Sequence, residues 1–495
     1  MRLLYHSNGK LYKYIDHSYN DAGYIYPFHG KKGICLTISS KREQARRKNL
    51  NPGQILALGF LVLIVVGGLL LTLPACSATG QSLGLLKGMF TATSAVCVTG
   101  LTLIEAGVDL SPLGQGVLLA LIQVGGLGFM AFASLGMVLL GRKISLRGRL
   151  LLGEAMNQSN MKGMVRLSLW FFLMALAIEL AGAAVLSIRF IPRYGVGKGI
   201  WMSIFTAISA FCNAGFDLFG QYNSVISMQG DPTVIITLTL LILFGGMGFA
   251  VILELLSLGR GNRRLSLHAK LVLIMNAVLL FGGALMVYLL EYSNPATLAA
   301  EGMTGTDKVT NAFMQSMTCR TAGFASIDQG AMKPATKMLS CFLMFVGASP
   351  ASTGGGIKTT TLAVSLLMIW SVIRGREHIT LFGKEVSQDT ARRAVALMFI
   401  ALAFALVVTT AIVILEDSHG FDTLDLGYET ISAITTTGLS AMGTGNLRVS
   451  SQILLMPLMY LGRVGPLTLA VALAHRANSR VQNRVRHPEE NVMIG

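Results

Sequence analysis

Four short loops of one chemistry recur along this chain: Val98-Thr99-Gly100-Leu101, Asn213-Ala214-Gly215-Phe216, Thr321-Ala322-Gly323-Phe324 and Thr436-Thr437-Gly438-Leu439. Their glycines recur at a nearly constant interval of about 110 residues, the mark of a chain built from repeated units. Each loop follows an apolar segment too short to cross a bilayer and precedes another apolar run. At membrane depth, irregular backbone survives only where protein or a polar cavity satisfies its free groups. Carbonyls turned toward one axis meet that demand by replacing the hydration shell of an alkali cation. Glycine suits the position because its free φ lets the preceding carbonyl take that direction. Four such loops in one polypeptide are what a pore with fourfold pseudo-symmetry requires.

The rest of the chain is written for lipid. Hydrophobic residues make up 53% of the 495, charged residues only 13%, and the mean hydropathy is +0.61, far from a soluble profile. A triplet of span, short re-entrant segment with loop, and span repeats four times. The first unit (residues 51–150) uses Ile55 to Leu73, Leu85 to Val96 and Leu113 to Leu140; the second (151–265) uses Leu167 to Leu186, Trp201 to Phe211 and Val234 to Leu258. The third (266–385) has Leu271 to Leu290, Val309 to Cys319 and an interrupted run from Met338 to Ile373. The fourth (386–476) has Val395 to Leu415, Gly427 to Ile434 and Ile453 to Ala474. The expected fold is therefore an all-α integral membrane protein with eight spans around a central pore, between an N-terminal arm (1–50) and a C-terminal tail (477–495).

Charge orients this topology. The net +16 sits in loops beside apolar runs, which is how membrane orientation is encoded. Arg142, Lys143, Arg147 and Arg149 follow the first unit, and Arg260, Arg263, Arg264 and Lys270 the second. Arg374, Arg376, Lys384, Arg392 and Arg393 follow the third, and Arg476, Arg480, Arg484 and Arg486 the fourth. Every cluster falls between units, so all belong on the cytoplasmic side with both termini, and the glycine loops enter from outside. The outer side carries the acids Glu105, Asp109, Asp217, Asp328, Asp422, Asp425 and Glu429, a negative mouth that would concentrate cations. The first apolar run begins only at Ile55, after the basic run Lys41 to Lys48, which does not read as a cleavable signal peptide.

The units differ where a gate would be placed. Gly125-Gly126, Gly245-Gly246, Gly347-Ala348 and Gly462-Arg463 align in the second spans. An arginine within an apolar span is costly and is a functional hypothesis by default; Arg463 would lie below the loops, opposing cations or binding carbonyls of a nearby irregular segment. The third unit supplies such a segment in Gly347-Ala348-Ser349-Pro350-Ala351-Ser352-Thr353-Gly354-Gly355-Gly356-Ile357-Lys358. Proline and three glycines cannot continue a helix there, and the segment reads as a flexible gate across the pore. Arg320, directly before Thr321, reads as a brace behind its loop rather than a cation ligand. Glu179, in the middle of a span, is either an ion ligand or a helix–helix hydrogen-bond partner.

Other chemistries find little support. Gly354 to Thr359 faintly resembles a phosphate loop, but Ile357 separates glycine from lysine and no soluble strand precedes it. A serine hydrolase would need a histidine near Ser349 or Ser352, and all eight histidines fall in tails or loops. The six cysteines show no C-x-x-C and no metal-ligand spacing. No nucleic-acid-binding motif accompanies the basic clusters. No enzymatic activity and no cofactor are expected of this chain. A coupled Na+/K+ symporter with alternating access is the competing transport reading, but its repeats would usually be inverted, whereas these four keep one orientation.

With these residues the chain resembles the Trk/Ktr/HKT superfamily of potassium transporters, most of all the membrane subunit of bacterial Ktr systems. The resemblance runs from about Leu50 to the C-terminus and includes the four loops, the Gly347 to Lys358 interruption and Arg463. The Trk branch typically carries an additional pair of N-terminal spans, which Met1 to Leu50 does not supply. HKT-type chains often have serine where Gly100 stands, a substitution linked with sodium preference. The resemblance implies potassium uptake across the plasma membrane, often sodium-dependent, with K+ held at the filter residues. It also implies a lipid-embedded homodimer resting on a cytosolic ring of nucleotide-binding regulatory subunits. No G-x-G-x-x-G after a strand occurs here, so nucleotide sensing would belong to another polypeptide, docked on the basic loops.

Overall fold

The computed structural model describes residues 2–5, 11–15, 24–27, 52–128, 164–258, 265–376 and 378–465. The chain divides into two units, Met1–Asn49 and Leu50–Gly495. In the first, strands β1 (Arg2–Tyr5), β2 (Leu11–Ile15) and β3 (Tyr24–Pro27) form an antiparallel sheet with β2 central. Tyr5 stands opposite Leu11, and Tyr12 opposite Pro27.

The second unit is helical, apart from a short hairpin of β4 (Ile379–Leu381) and β5 (Lys384–Val386). The first sequence repeat folds as α1 (Pro52–Thr72), α2 (Leu85–Cys97) and α3 (Pro112–Leu127). The second gives α4 (Met164–Tyr194), α5 (Val196–Phe211), α6 (Pro232–Met247) and α7 (Phe249–Leu258). The third gives α8 (Leu267–Glu291), α9 (Gly305–Thr318), α10 (Pro334–Phe345) and α11 (Thr359–Ile373). The fourth gives α12 (Gln388–Glu416), α13 (Thr423–Thr435) and α14 (Val449–Val464).

Local sequence explains where these helices begin. Pro112, Pro232 and Pro334 open α3, α6 and α10, because proline's fixed φ suits the first helical position and its missing N–H costs nothing there. Ser111 accepts from the Gly114 amide and Asp231 from the Thr233 amide, capping amides that no helical carbonyl reaches. The start of each unit's second helix is also tied to its first helix or, in the first unit, to the turn just after it. Glu291 accepts from the Lys333 amide at 2.9 Å and the Thr336 hydroxyl at 2.5 Å. Glu416 accepts likewise from the Arg448 amide and the Ser451 hydroxyl. In the second unit Arg189 pairs with Asp231 at 2.7 Å, and in the first Ser111 donates to the Ala75 carbonyl.

Tertiary contacts run around the molecule in sequence order and close on themselves. Helix α3 packs on α5, α6 on α9, α10 on α13, and α14 on α2. Each re-entrant helix thus touches the preceding unit's second helix, the fourth unit serving the first. Tyr460 in α14 also donates to the Ala57 carbonyl in α1 at 2.7 Å. In lipid such contacts depend on close packing at small residues more than on apolar burial. A β-carbon on Gly125 would stand within 3.0 Å of Val96 backbone atoms, and one on Gly462 within 3.0 Å of the Ile434 backbone.

Among the described residues, four helical stretches are long and apolar enough to cross a membrane, Gly53–Thr72, Ser168–Tyr194, Leu267–Glu291 and Gln388–His419, or five if the bent pair α6 and α7 counts as one span. The four are the expected first spans. The run from Val234 to Leu258 forms two helices, α6 and α7, that meet at 99°, a bend that its glycines allow. Gly248, at φ 93° and ψ 126°, makes that bend, and Gly128 and Gly465 end α3 and α14 in the same conformation. Phe129 to Leu140, Pro466 to Ala474, the 477–495 tail and the Lys41 to Lys48 run lie outside the described residues. So do the basic clusters Arg142 to Arg149, Arg260 to Arg264 and Arg476 to Arg486.

Candidate functional site

The four glycine loops come together. A β-carbon built on Gly100 would lie 2.7 Å from the Ala214 carbonyl oxygen, 3.2 Å from the Gly215 Cα and 3.3 Å from the Gly438 Cα. On Gly215 it would meet the Ala322 oxygen and the Gly323 Cα, each at 2.9 Å; on Gly323, the Thr437 oxygen at 2.7 Å. On Gly438 it would run into the Thr99 oxygen. Each glycine therefore faces the carbonyl that precedes the next loop's glycine, and the fourth loop returns to the first.

The backbone repeats as well. Val98, Asn213, Thr321 and Thr436, each two residues before its glycine, have φ of 57°, 58°, 67° and 56°. That left-handed conformation is costly for β-branched residues and clusters at functional sites. Hydrogen bonds hold the turn. The Thr99 and Thr437 amides donate to the Ser94 and Ser432 carbonyls at 2.8 Å, and the Ala214 amide to the Ser209 carbonyl at 2.8 Å. The Gly100 and Gly438 amides donate to the Ser94 and Ser432 hydroxyls at 2.9 and 3.0 Å. With N–H groups turned back onto the helices, the trans peptide directs the carbonyls the other way.

One face of this ring opens into a cavity of about 280 Å³ lined by Gly100, Gly215, Gly323 and Gly438 together with Glu105, Asp217 and Asp328. Burial and the nearby Glu105 push the Asp217 carboxyl up to about 6. The other acids expected at the mouth have structural work. Asp109 accepts from the Glu105 amide, Asp422 caps α13, Asp425 pairs with Lys337 at 2.6 Å, and buried Glu429 accepts from Thr444.

The opposite face meets the interruption between α10 and α11. A β-carbon on Gly354 would collide with the Thr321 hydroxyl and lie 3.3 Å from Asn213 Nδ2; one on Gly355 would collide with the Thr436 hydroxyl. The Ser349 and Thr353 amides donate to the Gly246 and Gly245 carbonyls at 3.0 and 3.2 Å, and the Thr353 hydroxyl to the Phe211 carbonyl at 3.2 Å. Pro350 lies behind this contact, its carbonyl facing Gly248, while Ser352 donates to the Ser349 carbonyl. Gly347 and Gly356 touch at backbone level, bringing the loop's two ends together.

Two cations grip this loop. Lys358 Nζ donates to the Gly354 carbonyl at 2.6 Å, and Arg463 donates to the Thr353 carbonyl and to those of Gly125 and Gly126. Arg463 thus joins the third unit's loop to the first unit's α3. Against the loop, the side-chain oxygens of Asn213, Thr321 and Thr436 are buried without a protein partner, as is that of Thr99 in the first glycine loop. Carbonyls of the ring and uncommitted side-chain oxygens beside the loop are the acceptors that a cation shedding water needs.

Glu179 proves to be a helix–helix partner, accepting from Gln123 Nε2 at 3.0 and 3.1 Å. Arg320 is 1% exposed and bonds Asn276 at 2.5 Å. Sequence reasoning missed Asn276 and the paired serines Ser94 and Ser432. Aligning the loops would have exposed the serine six residues before the glycine in the first, second and fourth, and Asn276 stands out as a polar residue in the apolar run from Leu271 to Leu290. Among the described residues, Cys76, Cys97, Cys212, Cys319 and Cys341 are free and buried, and no group of His, Cys, Asp and Glu could hold a metal ion.

Comparison with known proteins fits this geometry. The TrkH family profile, described as a cation transport protein, matches residues 34–483. The chain is 39% identical to the potassium/sodium uptake protein NtpJ of Enterococcus hirae over 93% of its own length and 100% of that protein. It is 38% identical to the Ktr system potassium uptake protein B of Bacillus subtilis over 90% of its own length and 97% of that protein. The crystal structure of the potassium transporter TrkH from Vibrio parahaemolyticus shares the fold, with a TM-score of 0.64 at 17% identity over 88% of this chain and 86% of that one.

Proposed function

The chain belongs to the TrkH family of cation transport proteins, membrane transporters rather than enzymes, and from that premise we propose that it takes up potassium through a gated pore. The reading assigns the pore's filter to the carbonyls around Val98, Thr99 and Gly100; Asn213, Ala214 and Gly215; Thr321, Ala322 and Gly323; and Thr436, Thr437 and Gly438. The gate is the loop from Gly347 to Lys358 with Arg463, and Arg320 supports the filter from behind. Around this axis the four units supply eight spans in one orientation, with broken second spans.

One observation carries the reading: four glycines close into a ring of carbonyls with a loop held beneath them by Arg463 and Lys358. A cation leaving the ring would meet a guanidinium and carbonyls already engaged by cations, which is a closed state. The acids Glu105, Asp217 and Asp328 raise local cation concentration at the mouth.

Sodium dependence, a homodimer and a cytosolic nucleotide-binding ring complete the proposal. Relatives named for potassium/sodium uptake and for a multi-component Ktr system support it. The test is rubidium uptake into liposomes by wild type, Gly100→Ser and Arg463→Ala. We expect Gly100→Ser to admit more sodium, because its side chain would crowd the Ala214 carbonyl, and Arg463→Ala to raise flux. Unchanged selectivity in the first and unchanged flux in the second would remove both assignments.

A further inference from the structure

Asn276 belongs to none of the assigned parts, yet it touches two of them. It lies within α8 and is 4% exposed. Arg320 Nη2 donates to its Oδ1 at 2.5 Å. Its Nδ2 donates to the Val272 carbonyl at 2.7 Å and to the Ser349 hydroxyl at 3.1 Å. Ser349 Oγ lies 3.2 Å from Thr359 Oγ1, at the start of α11. Both amide donors and the acceptor are thus used, and a flipped amide would set NH2 against guanidinium and oxygen against carbonyl. The orientation has one solution.

This chain of bonds begins at the residue before the left-handed Thr321 and ends at both sides of the interrupting loop. Arg320 Nε and Nη1 have no protein partner, so Asn276 is its hydrogen-bond anchor among the described residues. Asparagine in the middle of an apolar helix otherwise costs stability, which argues for a role beyond packing. Building on the filter-and-gate reading above, we propose that Asn276 is a positioning residue that couples the glycine ring to the gate. Displacing the loop pulls Ser349 from Nδ2, leaves the amide held by Val272 and Arg320 alone, and so loosens Arg320 behind the third filter loop. The coupling runs equally in the other direction, since linkage between two sites is reciprocal.

The test exploits the fact that Arg320 and Ser349 share a partner in Asn276. Residues without a shared partner give additive effects. Full-length protein in liposomes would be measured for rubidium flux and for rubidium-over-sodium selectivity. Ser349→Ala should raise flux by about three- to tenfold, the worth of one buried hydrogen bond, and should also lower selectivity. Arg320→Lys should lower selectivity, and the double variant should be no worse than the more affected single one. Asn276→Asp keeps the acceptor for Arg320 but loses both donors, so it should raise flux while leaving selectivity nearer wild type than Ser349→Ala does. Should Asn276→Asp fail to fold, the Arg320→Lys and Ser349→Ala pair decides alone. Additive logarithmic effects of that pair, or a Ser349→Ala variant with unaltered selectivity, would overturn the coupling. Removal of Ala351 to Gly356 separates the two failures. If the deletion raises flux while the pair is additive, the gate stands and the relay falls; if it leaves flux unchanged, the gate itself has failed.

Discussion

At the scale of single residues, the site is made by backbone conformations that side chains only defend. Val98, Thr321 and Thr436 hold left-handed φ angles at a cost of about 1–3 kcal/mol each. The surrounding hydrogen bonds, Ser94 and Ser432 among them, keep them there. Asp217 offers a readable titration. Its carboxyl is raised to about 6 by burial, so it is charged at neutral pH and loses that charge as pH falls through about 6. Because its pKa lies above that of an exposed aspartate, ionising it costs stability as pH rises. The expected outcome is a half-saturating rubidium concentration that rises several-fold between pH 7 and pH 5, with Asp217→Asn flattening that dependence. Residue types in the sequence pointed to the acids as a group. They did not sort Asp217 from Asp425, because an ion pair with Lys337 is made across two helices distant in sequence.

At the scale of elements, helix ends govern the layout. Glu291, fully buried, accepts from Thr336, the Lys333 amide, Thr297 and Asn294, locking α8 to the start of α10. Glu291→Ala would strand several buried donors, and a loss of about 3 kcal/mol or more is expected, measured as a lowered Tm in detergent. The interruption between α10 and α11 is the other decisive element. Its proline and glycines were legible as a helix break, whereas the grip of Arg463 on Thr353 was one of two readings of a charge in an apolar run, between which the sequence did not choose. Deleting Ala351 to Gly356 is expected to raise rubidium flux by more than Arg463→Ala does, because it removes the obstruction as well as its latch. The bend at Gly248 was likewise present as a repeated glycine pattern, but a glycine permits either close packing or a turn, and the sequence of α6 and α7 is apolar throughout.

For the whole molecule, the proposed filter depends on closure. The contact of α14 with α2 brings Gly438 beside Gly100, and without it four loops would be an open row. Because the ring is cyclic, substituting any of the four glycines should impair selectivity, not only Gly100. The tightest approach is Gly438 to the Thr99 carbonyl. Gly438→Ser is therefore expected to lose at least as much rubidium-over-sodium selectivity as Gly100→Ser, by isotope uptake in liposomes. A Gly438→Ser variant with wild-type selectivity would show that the fourth loop does not share the site.

The periodic glycines, the apolar lengths and the broken third unit by themselves determined that this chain is a helical membrane protein, and they pointed to repeated units around a polar axis. They could do so because lipid punishes unsatisfied backbone wherever it occurs, and local sequence records how each segment avoids that cost. Only the tertiary structure decided which groups meet. The carbonyl facing each glycine, the acids lining the mouth, and the path from Arg320 through Asn276 to Ser349 join residues far apart along the chain. Such contacts are set by how helices pack, which no single segment encodes.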